Sequence, residues 1–200
     1  MTRLILVRHA PTAETGKRLT GRLPGVGLSP AGRRAAAALS RALADTPLQA
    51  VCTSPVQRCR ETAALVAEPH GLRPLPHHGL TEVDYGAWAG CSLASLRRTS
   101  LWRLIQTAPS RVAFPNGEAL PTVQARAVAA CEALAAAHPE ATLALVSHGD
   151  VIGLILAHYL GVPFDLYHRF SVSPASVSTL DLPAGGPARV HSLNVTPGDR

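Results

Sequence analysis

Lysine occurs once in this 200-residue chain, as Lys17, against 18 arginines, and aromatic residues make up only 4%. Both scarcities bear on the net charge of +6 and the pI near 9.8, which alone would invite a nucleic-acid reading. Few stacking platforms are available, the densest basic runs are the pairs Arg33-Arg34 and Arg97-Arg98, and there is no basic tail. Nucleic acid is therefore not an expected partner, and arginine is better matched here to small anions. No apolar run approaches the roughly 18 residues of a membrane span, and the apolar start is too short for a secretory signal. The expectation is a cytoplasmic protein with no membrane partner. Cys52, Cys59, Cys91 and Cys131 lack CxxC spacing, which excludes a recognisable zinc site or disulfide framework and fits a reducing compartment. With 46% hydrophobic and 16% charged residues the chain is too apolar to be disordered, and its length suits one domain over residues 1–200, as a monomer or homodimer.

Strand and helix signals alternate. Residues 3–7 (RLILV) read as a buried strand. Ser29-Pro30 is a cap followed by proline at the first helical position, opening a helix to about Thr46. Residues 50–53 read as a second strand, and Ser54-Pro55 repeats the cap-plus-proline signal before a helix ending near Glu68-Pro69. Residues 70–121 are richer in Gly, Pro and single aromatics, and about 83–121 of them are expected to form a specificity insertion, with a short helix over 92–106. Pro121-Thr122 opens a further helix, with an apolar face at Val123, Ala127, Ala130 and Leu134, running to His138-Pro139. A strand follows over 142–146, and Asp150 is placed to cap a helix over 151–160. Residues 176–182 and 189–194 read as closing strands. This alternation predicts a three-layer α/β/α sandwich with a mainly parallel sheet, whose ligands bind outside the carboxyl ends of the strands.

Three segments put polar residues at such ends: Arg8-His9, Arg58 one turn beyond the second strand, and His148-Gly149. Two arginines, two histidines and a carboxylate in one pocket suit phosphoryl transfer. The planar forks of Arg8 and Arg58 match phosphate oxygens and favour the anionic transition state in the place of a metal ion. Guanidinium charge keeps His9 neutral, so that a ring nitrogen can attack phosphorus and form phosphohistidine. Glu82 can protonate the departing alkoxide and then deprotonate water.

These blocks resemble the histidine phosphatase superfamily, the group that includes phosphoglycerate mutases and many small phosphatases. LVRHAPT resembles the family's Arg-His-Gly opening, followed by Thr20-Gly21 and Leu28-Ser29-x-x-Gly32; TSPVQRCRET resembles its Ser-Pro-x-x-Arg-x-x-x-Thr block; TEVDYGAWAG and LVSHGDVI resemble the segments holding its glutamate and second histidine. The resemblance implies a phosphoglycerate mutase-like fold and no metal or other cofactor. It makes His9 the nucleophile, Glu82 the proton donor, Arg8, Arg58, His148 and Gly149 the phosphate ligands, and His148 charged in the transition state. Thr15, Thr20 and Gly21 become candidate substrate contacts. The chain departs from the pattern at Ala10 (usually glycine), Pro11 (often an acid) and Thr15 (often asparagine).

The expected activity is that of a phosphomonoesterase, a hydrolase of the histidine acid/alkaline type, acting on a small phosphorylated metabolite. The alternative is a cofactor-dependent phosphomutase, since the glycine-rich 21–32 segment and residues 164–178 also resemble a bacterial phosphomutase subgroup. Against it, Val83-Asp84-Tyr85-Gly86 stands where mutases carry His-Tyr-Gly after the glutamate. A catalytically silent phosphate-binding or interaction module is the reading of a different class. Outside the motifs, Arg97, Arg98, Arg103 and Arg111 fit a solvated helix face, with a substrate carboxylate or second phosphate as the alternative, Cys59 a buried helix position, and Trp88 and Trp102 either the core or a pocket wall.

Overall fold

The structure, a computed structural model, describes residues 1–197. Its strands are β1 (Thr2–Arg8), β2 (Ala50–Thr53), β3 (Leu75–Pro76), β4 (Thr142–Ser147), β5 (Val177–Leu182) and β6 (Arg189–Val195), forming one sheet in the order β3-β2-β4-β1-β5-β6. The pairs β3/β2, β2/β4 and β4/β1 are parallel, whereas β1/β5 and β5/β6 are antiparallel. Helices α1 (Pro30–Leu43), α2 (Gln57–Ala67), α3 (Leu93–Leu96), α4 (Ser100–Thr107), α5 (Leu120–Ala137) and α6 (Gly149–Tyr159) complete the fold. The predicted α/β fold with a mainly parallel sheet is what the chain adopts.

Side chains alternate across the central strands, so consecutive apolar residues feed different layers. Leu4, Leu6, Leu143 and Leu145 join α5 and α6 in one core; Ile5, Val7, Ala144 and Val146 join α1 and α2 in the other. The 83–121 segment is not peripheral to this packing, because Trp88, Leu96, Ile105, Val112 and Phe114 belong to the first of these cores.

Several boundaries differ from expectation, each for a local reason. The first helix ends at Leu43 rather than Thr46, where the chain turns so that the Thr46 N–H donates to the Leu43 carbonyl. Ser54 does not cap α2: the helix starts at Gln57 with Val56 as its cap and no side-chain cap bond. Residues 92–106 form two helices rather than one, because Thr99 interrupts and caps the second through the Trp102 N–H. Asp150 lies inside the first turn of α6, with His148 at the cap position. The two-residue strand β3 carries no periodicity and escaped sequence reading.

Ser29 does cap α1, accepting from the Gly32 N–H at 3.0 Å. Gly32 is required there by close approach, since a Cβ would lie 1.9 Å from the Pro11 carbonyl oxygen. The Gly32→Ala variant is expected to lose about 1–3 kcal/mol, because a backbone clash outweighs alanine's better helix propensity. Urea unfolding checks this; an unchanged or raised midpoint would contradict the packing.

Candidate active site

Parallel pairing sets the site. Arg8 ends β1 opposite Ser147 of β4, the His9 N–H donates to the Ser147 carbonyl at 2.9 Å, and the Ser54 N–H donates to the Val146 carbonyl at 2.9 Å. The carboxyl ends of β1, β4 and β2 are thereby held side by side, with His9, His148 and Ser54 as the next residues out of the sheet. Arg58 comes from the first turn of α2, and Glu82 from the loop after the 3-10 turn His78–Leu80. Arg8, His9, Arg58 and Glu82 line one cavity of about 590 Å³; His148 is fully buried outside that lining, against Arg58.

The protonation pattern of His9 follows from its partners. Nδ1 lies 2.8 Å from the Ala10 carbonyl, which only accepts, so Nδ1 carries the hydrogen. Nε2 then holds the lone pair and accepts from Arg58 Nε at 3.1 Å. Burial, with the Arg58 charge next in size, pushes the His9 pKa down to about 3, so the ring is neutral, with a lone pair on Nε2, throughout the physiological range. Its backbone is anchored too: the Ala10 N–H donates to Thr62 Oγ1 at 3.1 Å.

Arg58 is 2% exposed and ties the group together. Besides His9, its second terminal nitrogen donates to the Gly21 carbonyl at 2.9 Å and to His148 Nδ1 at 3.0 Å, and lies 3.5 Å from Glu82 Oε2. Since guanidinium only donates, His148 Nδ1 is the acceptor and Nε2 carries the hydrogen, which goes to Ser54 Oγ at 2.8 Å. Burial and then Arg58 hold His148 well below the usual histidine range. It is neutral here, and a charged His148 requires the negative charge of a phosphoryl group to offset both effects.

Two donors are left over. Arg8 Nε and the remaining terminal nitrogen of Arg58 are buried without a partner among the described residues, an arrangement that costs free energy unless an anion supplies the acceptors. Arg8 is steered by its bond to the Val172 carbonyl. Gly149 lets this guanidinium approach, since a Cβ there would sit 3.1 Å from its Cζ. Arg58→Lys should therefore lower kcat/KM on an alkyl phosphate by about 10²-fold or more, because an ammonium cannot reproduce the fork. Steady-state phosphate release checks this, and a rate within a few-fold of wild type would contradict the assigned geometry.

Glu82 is 8% exposed. Burial, reinforced by the Asp150 charge, pushes its carboxyl up to about 7 against the pull of Arg58, so near neutrality it can exist as acid or base. Its Oε1 accepts from the Val83 N–H at 3.0 Å. Its carbonyl is gripped by Arg22 Nε at 2.8 Å and by a terminal nitrogen of Arg126 at 3.2 Å, and both arginines are bound to Glu118. Glu118 also accepts from the Asp84 N–H at 3.0 Å.

Sequence reasoning missed this Arg22-Arg126-Glu118 brace, because its members stand on a loop, on α5 and just before α5, without local pattern. Ser54 was seen only as a helix cap. Asp150 accepts from the Tyr85 hydroxyl at 2.6 Å, and no spacing rule pairs those two. Of the secondary candidates, Thr15, Thr20 and Gly21 line the cavity; Thr15 Oγ1 is engaged by the Thr12 N–H at 2.9 Å. Trp88 and Trp102 are both wall residues, while Arg97, Arg98, Arg103 and Arg111 lie outside the lining. Cys59 is buried, its thiol pushed up strongly by desolvation, which leaves it unreactive.

Comparison with known proteins bears on the family and the fold. The chain is 29% identical to phosphoserine phosphatase 1 of Hydrogenobacter thermophilus over 187 residues, covering 91% of this chain and 87% of that protein. It is 30% identical over 198 residues to the bifunctional protein Rv2228c of Mycobacterium tuberculosis, covering 98% of this chain but only 54% of the relative. Among solved structures, Bacillus stearothermophilus YhfR superposes with a TM-score of 0.92 at 27% identity, covering 98% of this chain and 99% of the other. A mycobacterial glucosyl-3-phosphoglycerate phosphatase, Rv2419c, in complex with VO3, superposes with a TM-score of 0.87 at 26% identity, covering 97% and 99%. The profile of the histidine phosphatase superfamily (branch 1) matches residues 4–196, and with that match spanning both ends of the sheet the chain belongs to this superfamily.

Proposed function

We propose that this protein hydrolyses a small phosphorylated metabolite through a phosphohistidine formed on His9, with no metal ion taking part. One observation carries the reading above the others: the unprotonated Nε2 of His9 shares a buried site with two guanidinium groups that each hold a donor without a partner among the described residues. A phosphoryl group is the ligand whose charge and oxygens would satisfy both.

In the first step the Nε2 lone pair forms the N–P bond as the P–O ester bond breaks, and the Glu82 proton passes to the leaving oxygen, releasing the alcohol. In the second, the Glu82 carboxylate takes a proton from water. The water oxygen bonds to phosphorus, the N–P electron pair returns to Nε2, and inorganic phosphate departs with Glu82 reprotonated. Arg8 and Arg58 would stabilise the equatorial oxygens in both steps, and His148 would join them once the phosphoryl charge lets it take a proton on Nδ1. Relatives named as phosphatases support water, rather than a second substrate hydroxyl, as the acceptor.

Phosphate release from a panel of phosphomonoesters in EDTA tests this. Release undiminished by the chelator is expected, and complete inhibition reversed by added metal would contradict it. Including 3-phosphoglycerate with a bisphosphoglycerate primer separates the mutase reading, which predicts isomerisation without release.

A further inference from the structure

Aromatic residues are scarce in this chain, two Trp, three Tyr and three Phe in all, yet six of them, Tyr85, Trp88, Trp102, Phe114, Tyr167 and Phe170, line the one cavity that holds His9. Tyr85, Trp88 and Phe114 are nearly fully buried and packed edge to face, with ring centroids 5.0 and 5.6 Å apart, forming a rigid wall. Trp102 and Phe170 are only half-buried, so they keep apolar surface that a ligand can still cover. At about 590 Å³ the cavity is in the range that encloses a ring-bearing molecule and leaves a three-carbon phosphoester poorly surrounded.

The charge of the lining points the same way. Apart from Arg8 and Arg58, the guanidinium among the lining residues is Arg18. Arg18 is already engaged, its Nε 3.5 Å from a Glu14 carboxylate oxygen and a terminal nitrogen bonded to the Gly90 carbonyl at 3.3 Å. The His168 Nε2 is occupied by the Ile105 carbonyl at 3.1 Å. Three carboxyl groups, Glu14, Glu82 and Asp150, also line the cavity. A second carboxylate or phosphate on the substrate would meet no free cation among the described lining residues and would face like charge; Arg97, 6.0 Å from the Trp102 ring centroid, stands outside the lining.

We infer that the substrate is a phosphomonoester whose alcohol has an aromatic, largely apolar body and carries no second anionic group. This deepens the phosphatase reading and rests on it. It also sets the chain apart from relatives named for phosphoserine and a phosphoglycerate derivative, since both of those molecules bear a carboxylate. Trp102 becomes a specificity-determining residue, touching the body of the substrate rather than its phosphoryl group.

The test compares kcat/KM for four alkyl esters, chosen so that leaving-group basicity varies little: ethyl phosphate, 3-phenylpropyl phosphate, O-phosphoserine and 3-phosphoglycerate. The phenylpropyl ester is expected to exceed each of the others by about 10- to 100-fold, the range set by burying one ring. Trp102→Ala should remove most of that advantage while changing ethyl phosphate turnover less than threefold. As a measurement on unmodified protein, 3-phenylpropylphosphonate should inhibit at least tenfold more tightly than 3-phosphonopropionate. Equal or better turnover of phosphoserine or 3-phosphoglycerate, or equal inhibition by the two phosphonates, overturns the inference and leaves the phosphatase reading intact. No phosphate release from any ester, ethyl phosphate included, overturns the phosphatase reading itself.

Discussion

Replacing His9 by alanine is expected to lower kcat/KM by about four orders of magnitude or more, the scale found when a covalent nucleophile is removed from a group of residues that act as a unit. The ring has no substitute. Burial and the Arg58 charge keep Nε2 unprotonated, the Ala10 carbonyl holds the other nitrogen, and the neighbouring His148 points its own lone pair at Arg58. In the variant, Arg8, Arg58 and His148 remain, so inorganic phosphate should still bind. A silent phosphate-binding module predicts the same binding but no wild-type turnover to lose. Circular dichroism on both proteins verifies that the loss is chemical, and a variant retaining a tenth of wild-type activity would remove His9 from the mechanism.

Glu82→Gln should slow turnover of an alkyl ester by about 10²- to 10⁴-fold, the usual contribution of a positioned general acid. The loss should shrink for p-nitrophenyl phosphate, whose leaving group needs little protonation. The pH profile supplies an independent check. The wild-type carboxyl, pushed up to about 7, carries its proton below that pH and loses it above. The kcat/KM for the alkyl ester is therefore expected to fall as pH rises through about 7, while His9, pushed down to about 3, is already neutral across this interval. Glutamine does not titrate, so the variant should lack that descending limb. An unchanged limb in Glu82→Gln would assign the titration to another group.

The sheet and the polar cluster at its strand ends were legible in the sequence because both depend on local pattern. Alternating strand and helix signals identify β1, β2, β4 and their helices, and Arg8-His9, Arg58 and His148-Gly149 fall at strand ends where an α/β sheet places its ligands. What stayed hidden depends on contacts between distant segments. Ser54 looks like a cap beside Pro55 but serves His148, 94 positions away. The grip of Arg22 and Arg126 on the Glu82 carbonyl spans 60 and 44 positions. Tyr85 and Asp150 meet only because the 83–121 segment folds back over α6. The aromatic wall was hidden for the same reason, since its six members come from four separate stretches of chain and only the packed fold draws them into one cavity.

The central claim, a covalent phosphoryl group on His9, is tested most directly by quenching the enzyme in alkali during turnover and mapping phosphorylation by mass spectrometry. A phosphoramidate is stable under those conditions. A single modified residue, His9, is expected, with the signal absent from His9→Ala and raised in Glu82→Gln when p-nitrophenyl phosphate is the donor, because water activation is then impaired. Sustained phosphate release with no phosphohistidine at any quench time, in wild type and in Glu82→Gln alike, would contradict it.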